Sequence, residues 1–250
     1  MPLHNIQSGE AGTKFVLKKM SELANKSTQN PDIVEFTSKI VETAPERNQK
    51  EEAKRIFLFV RDNIRYIKDP YRVETLFSPE AILGLEKDTK DNSWVLRGRR
   101  QADCDGKSTL AAAMFQSIGL PTRFVAIKTP HQPKIFTHVY VEARIGNRWY
   151  PADTITKKPF GWAYPWIVEK LYVDNATGGM KKEPGAIGSI GEPLLVMEGI
   201  SKMVTEFDRV EEVDLQGIRE SLSEWIKNPI AVIGLVVFAI FGIKTLFKIT

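Results

Sequence analysis

Three residues with the side chains of a thiol-based active site follow one another along the chain. Cys104, the only cysteine, lies where a polar loop gives way to an apolar helical pattern, His138 lies in an alternating strand pattern, and Asp153 ends the next one. A thiolate attacks a carbonyl carbon, an imidazole takes and returns its proton, and a carboxylate orients the imidazole. This order and spacing predict a Cys–His–Asp triad that transfers acyl groups through a Cys104 thioester.

The start of a helix at Cys104 suits this chemistry. Free backbone N–H groups and the positive end of the helix dipole stabilise a thiolate, so we expect the pKa of the Cys104 thiol to be lowered. Ser108 and the alanines at 111–113 are small enough to let this helix pack tightly against a sheet. Burial of Cys104 as an ordinary small core residue is the competing interpretation. The polar loop before Cys104 and the two residues downstream favour the nucleophile.

Apolar periodicity and turn residues indicate the elements that must position these side chains. The predicted helices span residues 13–24, 32–43, 49–68, 78–85 and 105–118, and the predicted strands span 122–128, 137–145 and 148–151. A Gly-Asn pair at 146–147 joins the last two strands. The aromatic stretch 160–172 is interpreted as a packed irregular segment. The pattern indicates an α+β fold in which N-terminal helices pack on a small antiparallel sheet.

The motifs around the three residues resemble those of the transglutaminase-like superfamily, a papain-like cysteine enzyme fold. The resemblance rests on ADCDGK at 102–107, HVYVE at 138–142 and NRWYPAD at 147–153, and it extends over residues 49–153. It implies a papain-like α+β core in which Cys104 is the nucleophile, His138 the general base and acid, and Asp153 the residue that orients His138. It also implies an amide substrate in a peptide, a protein or a peptidoglycan-like polymer.

The donors that would stabilise an oxyanion are less evident from the sequence. The backbone N–H of Cys104 is the default donor, and the side chains of Gln101 and Trp94 are further candidates. His131 is an alternative to His138 as the base, but it lies in a proline-bounded loop, which is less rigid than a strand. We therefore expect His138 to act.

Composition excludes several other classes of protein. One cysteine cannot form an internal disulfide, which excludes a disulfide-stabilised secreted scaffold and fits a reducing compartment. The net charge of +4 is mild and the basic runs are short and without interleaved aromatic residues, so we expect no nucleic-acid partner. With one cysteine and three histidines the chain lacks the ligands of a Cys–His metal site, and no cofactor is predicted. The first ten residues lack the basic-then-apolar order of a signal peptide.

The last part of the chain differs in composition, and the chain divides into three predicted regions. Residues 1–175 would form the catalytic domain, the Gly-, Ser- and Pro-rich residues 176–193 a flexible linker, and residues 194–250 an amphipathic helix followed by an apolar one. Residues 229–243 carry no charge. Trp225 and Lys227 precede them and Lys244 and Lys248 follow them, as interfacial residues flank a membrane span. We therefore expect a membrane-anchoring helix over residues 229–247. A buried terminal helix that packs on the domain is the alternative.

Two functions of different classes are consistent with these features. The first is a membrane-anchored cysteine enzyme that cleaves or transfers amide bonds, with hydrolysis and transfer both left open. The second is a catalytically silent structural protein that keeps the fold, such as a component of a virus with a membrane. The joint presence of Cys104, His138 and Asp153 favours the enzyme, because a chain without turnover tends to lose one of them.

Overall fold

The computed structural model of the chain describes residues 2–3, 9–69 and 74–185. The helices in this part are α1 (Glu10–Ser27), α2 (Pro31–Val41), α3 (Gln49–Asn63), α4 (Pro79–Leu83) and α5 (Cys104–Ser117). Short strands pair in twos, and they are β1 (Pro2–Leu3), β2 (Arg65–Tyr66), β3 (Glu74–Thr75), β4 (Leu85–Lys87), β5 (Trp94–Leu96) and β6 (Gln101–Ala102). The main sheet contains β7 (Thr122–Lys128), β8 (His138–Ile145), β9 (Arg148–Ala152), β10 (Glu169–Asp174) and β11 (Met180–Pro184). The mixture of helix and strand agrees with the predicted α+β class.

The main sheet is antiparallel, with the strand order β11-β10-β7-β8-β9. Successive side chains of a strand point to opposite faces. Phe124 and Val141 therefore belong to the core that the sheet shares with the helices, while Tyr140 belongs to a smaller apolar cluster on the other face. Strand β9 ends at Ala152, which pairs with Val141. The first three residues of β8, beginning at His138, thus extend past the end of β9.

Helix α5 is the buried centre of the fold. Its residues 110–115 are 0 % exposed, and it contacts α1, α2, α3, α4 and the sheet. The small residues in the sequence of this helix explain the packing, because alanine lets neighbouring elements approach closely. Gly106 is needed for the same reason, since a Cβ atom there would lie 2.7 Å from the Cβ atom of Ala102. The helix begins at Cys104 because the side chain of Asp103 caps it by accepting the Gly106 N–H at 3.0 Å.

The end of α3 differs from the sequence prediction, which extended this helix to residue 68. The helix stops at Asn63 and Ile64 is extended, with φ −106° and ψ 113°. The N–H of Arg65 donates to the carbonyl of Arg100 at 2.9 Å, and β2 then pairs in parallel with β6. This pairing with the chain just before Cys104 outweighs the helical periodicity of the local sequence.

Strands β10 and β11 lie where the sequence predicts irregular structure, so two predictions are wrong. Strand β10 lies partly in the stretch 160–172, which was expected to be irregular. Strand β11 lies at 180–184, within the expected linker 176–193. Burial of Leu171 and Val173 on the helical face of the sheet accounts for β10. The lysine-rich sequence of β11 resembles a linker because an exposed edge strand carries charged residues. Residues 186–193 lie outside the described part of the chain.

The predicted C-terminal region 194–250, with its membrane-anchoring helix over 229–247, lies outside the described residues and stays a prediction. Within residues 2–3, 9–69 and 74–185, no helix combines the length and the apolar character that crossing a membrane requires.

A buried lysine ties the first turn of α5 to the end of α3. Lys107 is 2 % exposed, and its ammonium donates to the carbonyls of Ile64 at 2.6 Å and Arg61 at 3.2 Å. Carbonyls at a helix C-terminus lack intrahelical donors and carry partial negative charge, so a cation is favourable there. Burial lowers the pKa of Lys107 to about 8. The contact holds the helical turn that begins with Cys104 against α3.

We expect Lys107→Ala to lower the free energy of unfolding by about 2–4 kcal/mol, because it leaves a cavity and two carbonyls without their donor. Urea titration followed by circular dichroism measures this change. The control is Lys54→Ala, which removes an exposed ion pair with Glu51 on α3 and should cost less than about 0.5 kcal/mol. Equal losses in the two variants would contradict the role given to Lys107.

Candidate active site

Cys104 lies at the point where α5 meets the sheet. Its Sγ atom is 3.2 Å from Asp105 Oδ1, to which the thiol donates. The backbone N–H of Val139 on β8 donates to the sulfur, and the hydroxyl of Ser108 donates to the Val139 carbonyl at 3.3 Å. These contacts place the sulfur beside the residue that directly follows His138 in the chain.

His138 and Asp153, two of the three residues of the predicted triad, form a buried pair. His138 Nε2 and Asp153 Oδ2 are 2.8 Å apart, and their side chains are 11 % and 4 % exposed. The other carboxylate oxygen, Oδ1, accepts the N–H of Ile155 at 3.1 Å. The alternative base, His131, is exposed in the loop between β7 and β8.

The environment of Asp153 keeps its carboxylate ionised. Burial by itself would raise the pKa of Asp153, but the hydrogen bond and charge of His138, with hydrogen bonds from Tyr164 and the Ile155 amide, bring it below its ordinary value. An ionised carboxylate accepts hydrogen bonds only, so Nε2 of His138 carries the proton that faces Asp153. In the neutral imidazole, Nδ1 is then the nitrogen with a lone pair for a second proton.

Tyr164 is a member of the site that the sequence prediction missed. Its hydroxyl donates to Asp153 Oδ2 at 2.5 Å, and its ring meets the His138 ring edge-on with 5.8 Å between centroids. Burial, followed by the charge of Asp153 and the hydrogen bond to it, raises the pKa of Tyr164. The hydroxyl therefore stays protonated and donates. The only signal in the sequence was its place in an aromatic stretch, which was interpreted as packing.

The pKa of the Cys104 thiol is shifted in the direction opposite to the one that the sequence predicts. Burial raises this pKa well above its ordinary value, and the carboxylates of Asp105 and Asp103 raise it further, while the N–H of Val139 acts in the opposite direction. A helix start favours a thiolate, but here two carboxylates occupy the same helix start. The expected lowering is therefore wrong, and the thiol is neutral at physiological pH.

The two side chains considered as oxyanion donors have different surroundings. Gln101 lies on β6, three residues before Cys104, and its Oε1 accepts a hydrogen bond from Arg65 at 2.9 Å. Trp94 packs edge-on against Phe36, with 6.1 Å between ring centroids, and the Lys87 ammonium lies 4.9 Å from its ring. These contacts give Trp94 a packing role between α2 and the β4–β5 hairpin. As donors to an oxyanion, the Cys104 backbone N–H, Gln101 and Trp94 all stay predictions.

The acidic residues around the thiol have a spacing that would also admit a cation. One ligand atom from each of Asp103, Cys104 and Asp105 lies within 4.8 Å of the others. Asp103 Oδ1 already accepts the N–H of Gly106, and Asp105 Oδ1 accepts from the thiol. The arrangement is thus accounted for by helix capping and by the thiol hydrogen bond.

Comparison with known proteins finds a family match for the segment that holds this site. Residues 35–154 match the Transglutaminase-like superfamily, whereas no curated protein matches the sequence significantly. Among solved structures, a candidate protease from Parabacteroides distasonis is 14 % identical, with a TM-score of 0.46 over 69 % of this chain and 31 % of that protein. A candidate cysteine protease from Cytophaga hutchinsonii is 15 % identical, with a TM-score of 0.38 over 64 % of this chain and 48 % of that protein.

A protein described as a TGase is 21 % identical, with a TM-score of 0.30 over 62 % of this chain and 36 % of that protein. This chain therefore spans less than half the length of each of these three proteins. The family match covers Cys104, His138 and Asp153 together with the α5, β7, β8 and β9 elements that position them. Residues 35–154 of this chain thus match the Transglutaminase-like superfamily, the family that the motifs resemble.

Proposed function

We propose that this chain is a cysteine enzyme that cleaves or transfers amide bonds of peptides or proteins through a Cys104 thioester. The observation that carries the proposal is the buried His138–Asp153 hydrogen bond of 2.8 Å. It lies next to Val139, whose amide contacts the Cys104 sulfur. The match of residues 35–154 to the Transglutaminase-like superfamily supports the same chemistry.

The first half-reaction begins from a neutral thiol. As the sulfur forms a bond to the amide carbonyl carbon, Nδ1 of His138 accepts the thiol proton, and Asp153 stabilises the imidazolium through Nε2–H. The carbonyl oxygen becomes an oxyanion, and the Cys104 N–H is the proposed donor to it, with Gln101 as a second one. The C–N bond then breaks, His138 returns the proton to the leaving amine, and a thioester remains.

The second half-reaction resolves the thioester and decides the outcome. Water or an amine attacks the thioester carbonyl carbon while His138 accepts a proton from the attacking group. The C–S bond breaks and the proton passes to the sulfur, which restores the thiol. Water gives hydrolysis of the original amide, and an amine gives a new amide.

We expect Cys104→Ala and His138→Ala each to abolish turnover, since each removes a group whose bond or proton changes in the reaction. Asp153→Asn should reduce kcat by a smaller factor, about 10²–10⁴, because it orients and stabilises His138 without reacting. Release of ammonia from glutamine-containing peptides and cleavage of peptide amides are the measurements.

The control for these variants is His131→Ala, which removes the exposed histidine of the β7–β8 loop and should keep turnover. Turnover by Cys104→Ala at the rate of the unchanged chain would contradict the proposal. Circular dichroism of each variant shows whether a loss of activity reflects a loss of fold.

The thiol itself gives a separate prediction, because Cys104 is the only cysteine and alkylation by iodoacetamide reports on it alone. The pH midpoint of alkylation should lie above that of a free thiol, which is about 8.5. Asp105→Asn should lower the midpoint, because removal of a neighbouring negative charge favours the thiolate. Asp91→Asn, in the exposed loop between β4 and β5, is the control that should leave it unchanged. A midpoint below that of a free thiol would contradict the charge distribution described above.

We also propose that residues 229–247 attach the enzyme to a membrane. Support comes from the sequence, in which an uncharged stretch lies between Lys227 and Lys244. The full chain should co-sediment with phospholipid vesicles, and a chain ending at Lys227 should stay in the supernatant and unfold cooperatively. Loss of cooperative unfolding in the shortened chain would show instead that the tail belongs to the core.

A catalytically silent structural protein is the second candidate function. The observation that favours it is the raised pKa of Cys104, which keeps the nucleophile protonated. A virion component is one form that such a protein would take. Turnover that depends on Cys104 would exclude this candidate.

A further inference from the structure

A cavity of about 400 Å³ lies beside the segment that leads from Asp153 to Tyr164. Its charged lining residues are four cations and one carboxylate, Lys50, Arg123, Arg148, Lys170 and Glu142. The cations come from α3, β7, β9 and β10, so separate elements bring positive charge to one place. Such a cavity favours an anionic ligand.

One of the four cations is neutralised within the cavity. Arg123 Nε donates to Glu142 Oε2 at 2.7 Å, and Glu142 is 4 % exposed. The Arg123 guanidinium also lies 4.4 Å from the centroid of the Trp149 ring and 4.1 Å from that of the Tyr172 ring. Arg123 is therefore held in place in the cavity wall. Because Glu142 is already paired with Arg123, it does not neutralise the other three cations.

The other three cations are held over aromatic rings instead of over carboxylates. Lys50 Nζ and Arg148 Cζ each lie 5.4 Å from the centroid of the Tyr150 ring, and Lys170 Nζ lies 6.0 Å from that of Tyr172. None of the three has an ion pair with another described residue. Because they share one ring, the charges of Lys50 and Arg148 are at most about 11 Å apart and repel each other, and an anion between them would relieve this repulsion.

We propose that this cavity binds acidic side chains of the peptide or protein on which the enzyme acts, an inference that rests on the proposed function. Three unneutralised cations on three elements fit several carboxylates along a chain better than one small anion. The aromatic rings already have a cation or the Phe160 ring against them, which disfavours stacking of a sugar or a base. Strand β9, which carries Arg148, is an edge strand of the described sheet, and an extended peptide can lie along such an edge.

Binding is tested on the full chain with Cys104→Ala, so that no turnover intervenes. The probe is a fluorescent peptide of alternating glutamate and glycine, and the measurement is its anisotropy at physiological ionic strength. The further change Lys50→Gln with Arg148→Gln should weaken binding about tenfold or more, because two charge-assisted contacts are lost. The control Lys18→Gln with Lys26→Gln removes the same charge from exposed positions of α1 and should change the affinity less than about twofold.

Four outcomes would overturn the inference. They are equal losses in the two double variants, equal binding of a glutamine–glycine peptide, complete displacement by equimolar inorganic phosphate, and tighter binding of a single-stranded oligonucleotide that depends on Lys50 and Arg148. The assay is also independent of the proposed function. A chain that binds the acidic peptide but shows no turnover contradicts the proposed function, whereas turnover without this binding contradicts only the role of the cavity.

Discussion

The docking of α5 on β8 is the interaction on which the rest of the structure depends. One helical turn makes contacts in two directions, since Ser108 bonds to the carbonyl of Val139 while Lys107 bonds to the carbonyls at the end of α3. The first residue of that turn is Cys104, so the packing that buries the central helix also fixes the sulfur. Because Val139 follows His138, the same contact relates the predicted nucleophile to the predicted base. Site geometry is thus a consequence of core packing rather than of a separate loop arrangement.

Helix stability and thiolate stability oppose each other at this position. Asp103 caps α5 and Asp105 lies in its first turn, and both charges are favourable at a helix N-terminus. The same charges, with burial, raise the pKa of the Cys104 thiol. In the proposed reaction, His138 must therefore remove the proton of the thiol during attack, and the three hydrogen-bond donors that keep Asp153 ionised suit this role. The carboxylates that stabilise the helix would then make the base indispensable.

The sequence predicts an element correctly where its local pattern determines the structure. It fails where contacts with distant parts of the chain determine the structure. The alternation of β7 and β8, and the small residues of α5, are local and predicted those elements within a residue or two. The end of α3 depends on pairing with the chain 36 residues later, which no local pattern contains. Strand β11 has the composition of a linker because it is an exposed edge strand of the sheet. Tyr164 contacts Asp153 only because the chain between them turns back, so its role needed the tertiary structure.

Negative and positive charges lie in different places in the described part of this chain, at the thiol and at the cavity. Carboxylates lie beside the thiol, in Asp103 and Asp105, while cations without ion pairs to other described residues line the cavity beside the segment 160–163. Under the two proposals, an acidic substrate would be attracted by the cavity and repelled by the carboxylates near Cys104. These two effects would favour the same orientation, in which acidic side chains lie in the cavity and an uncharged amide lies at the sulfur. Charge placement would then select against the reversed binding mode without any further contact at the thiol.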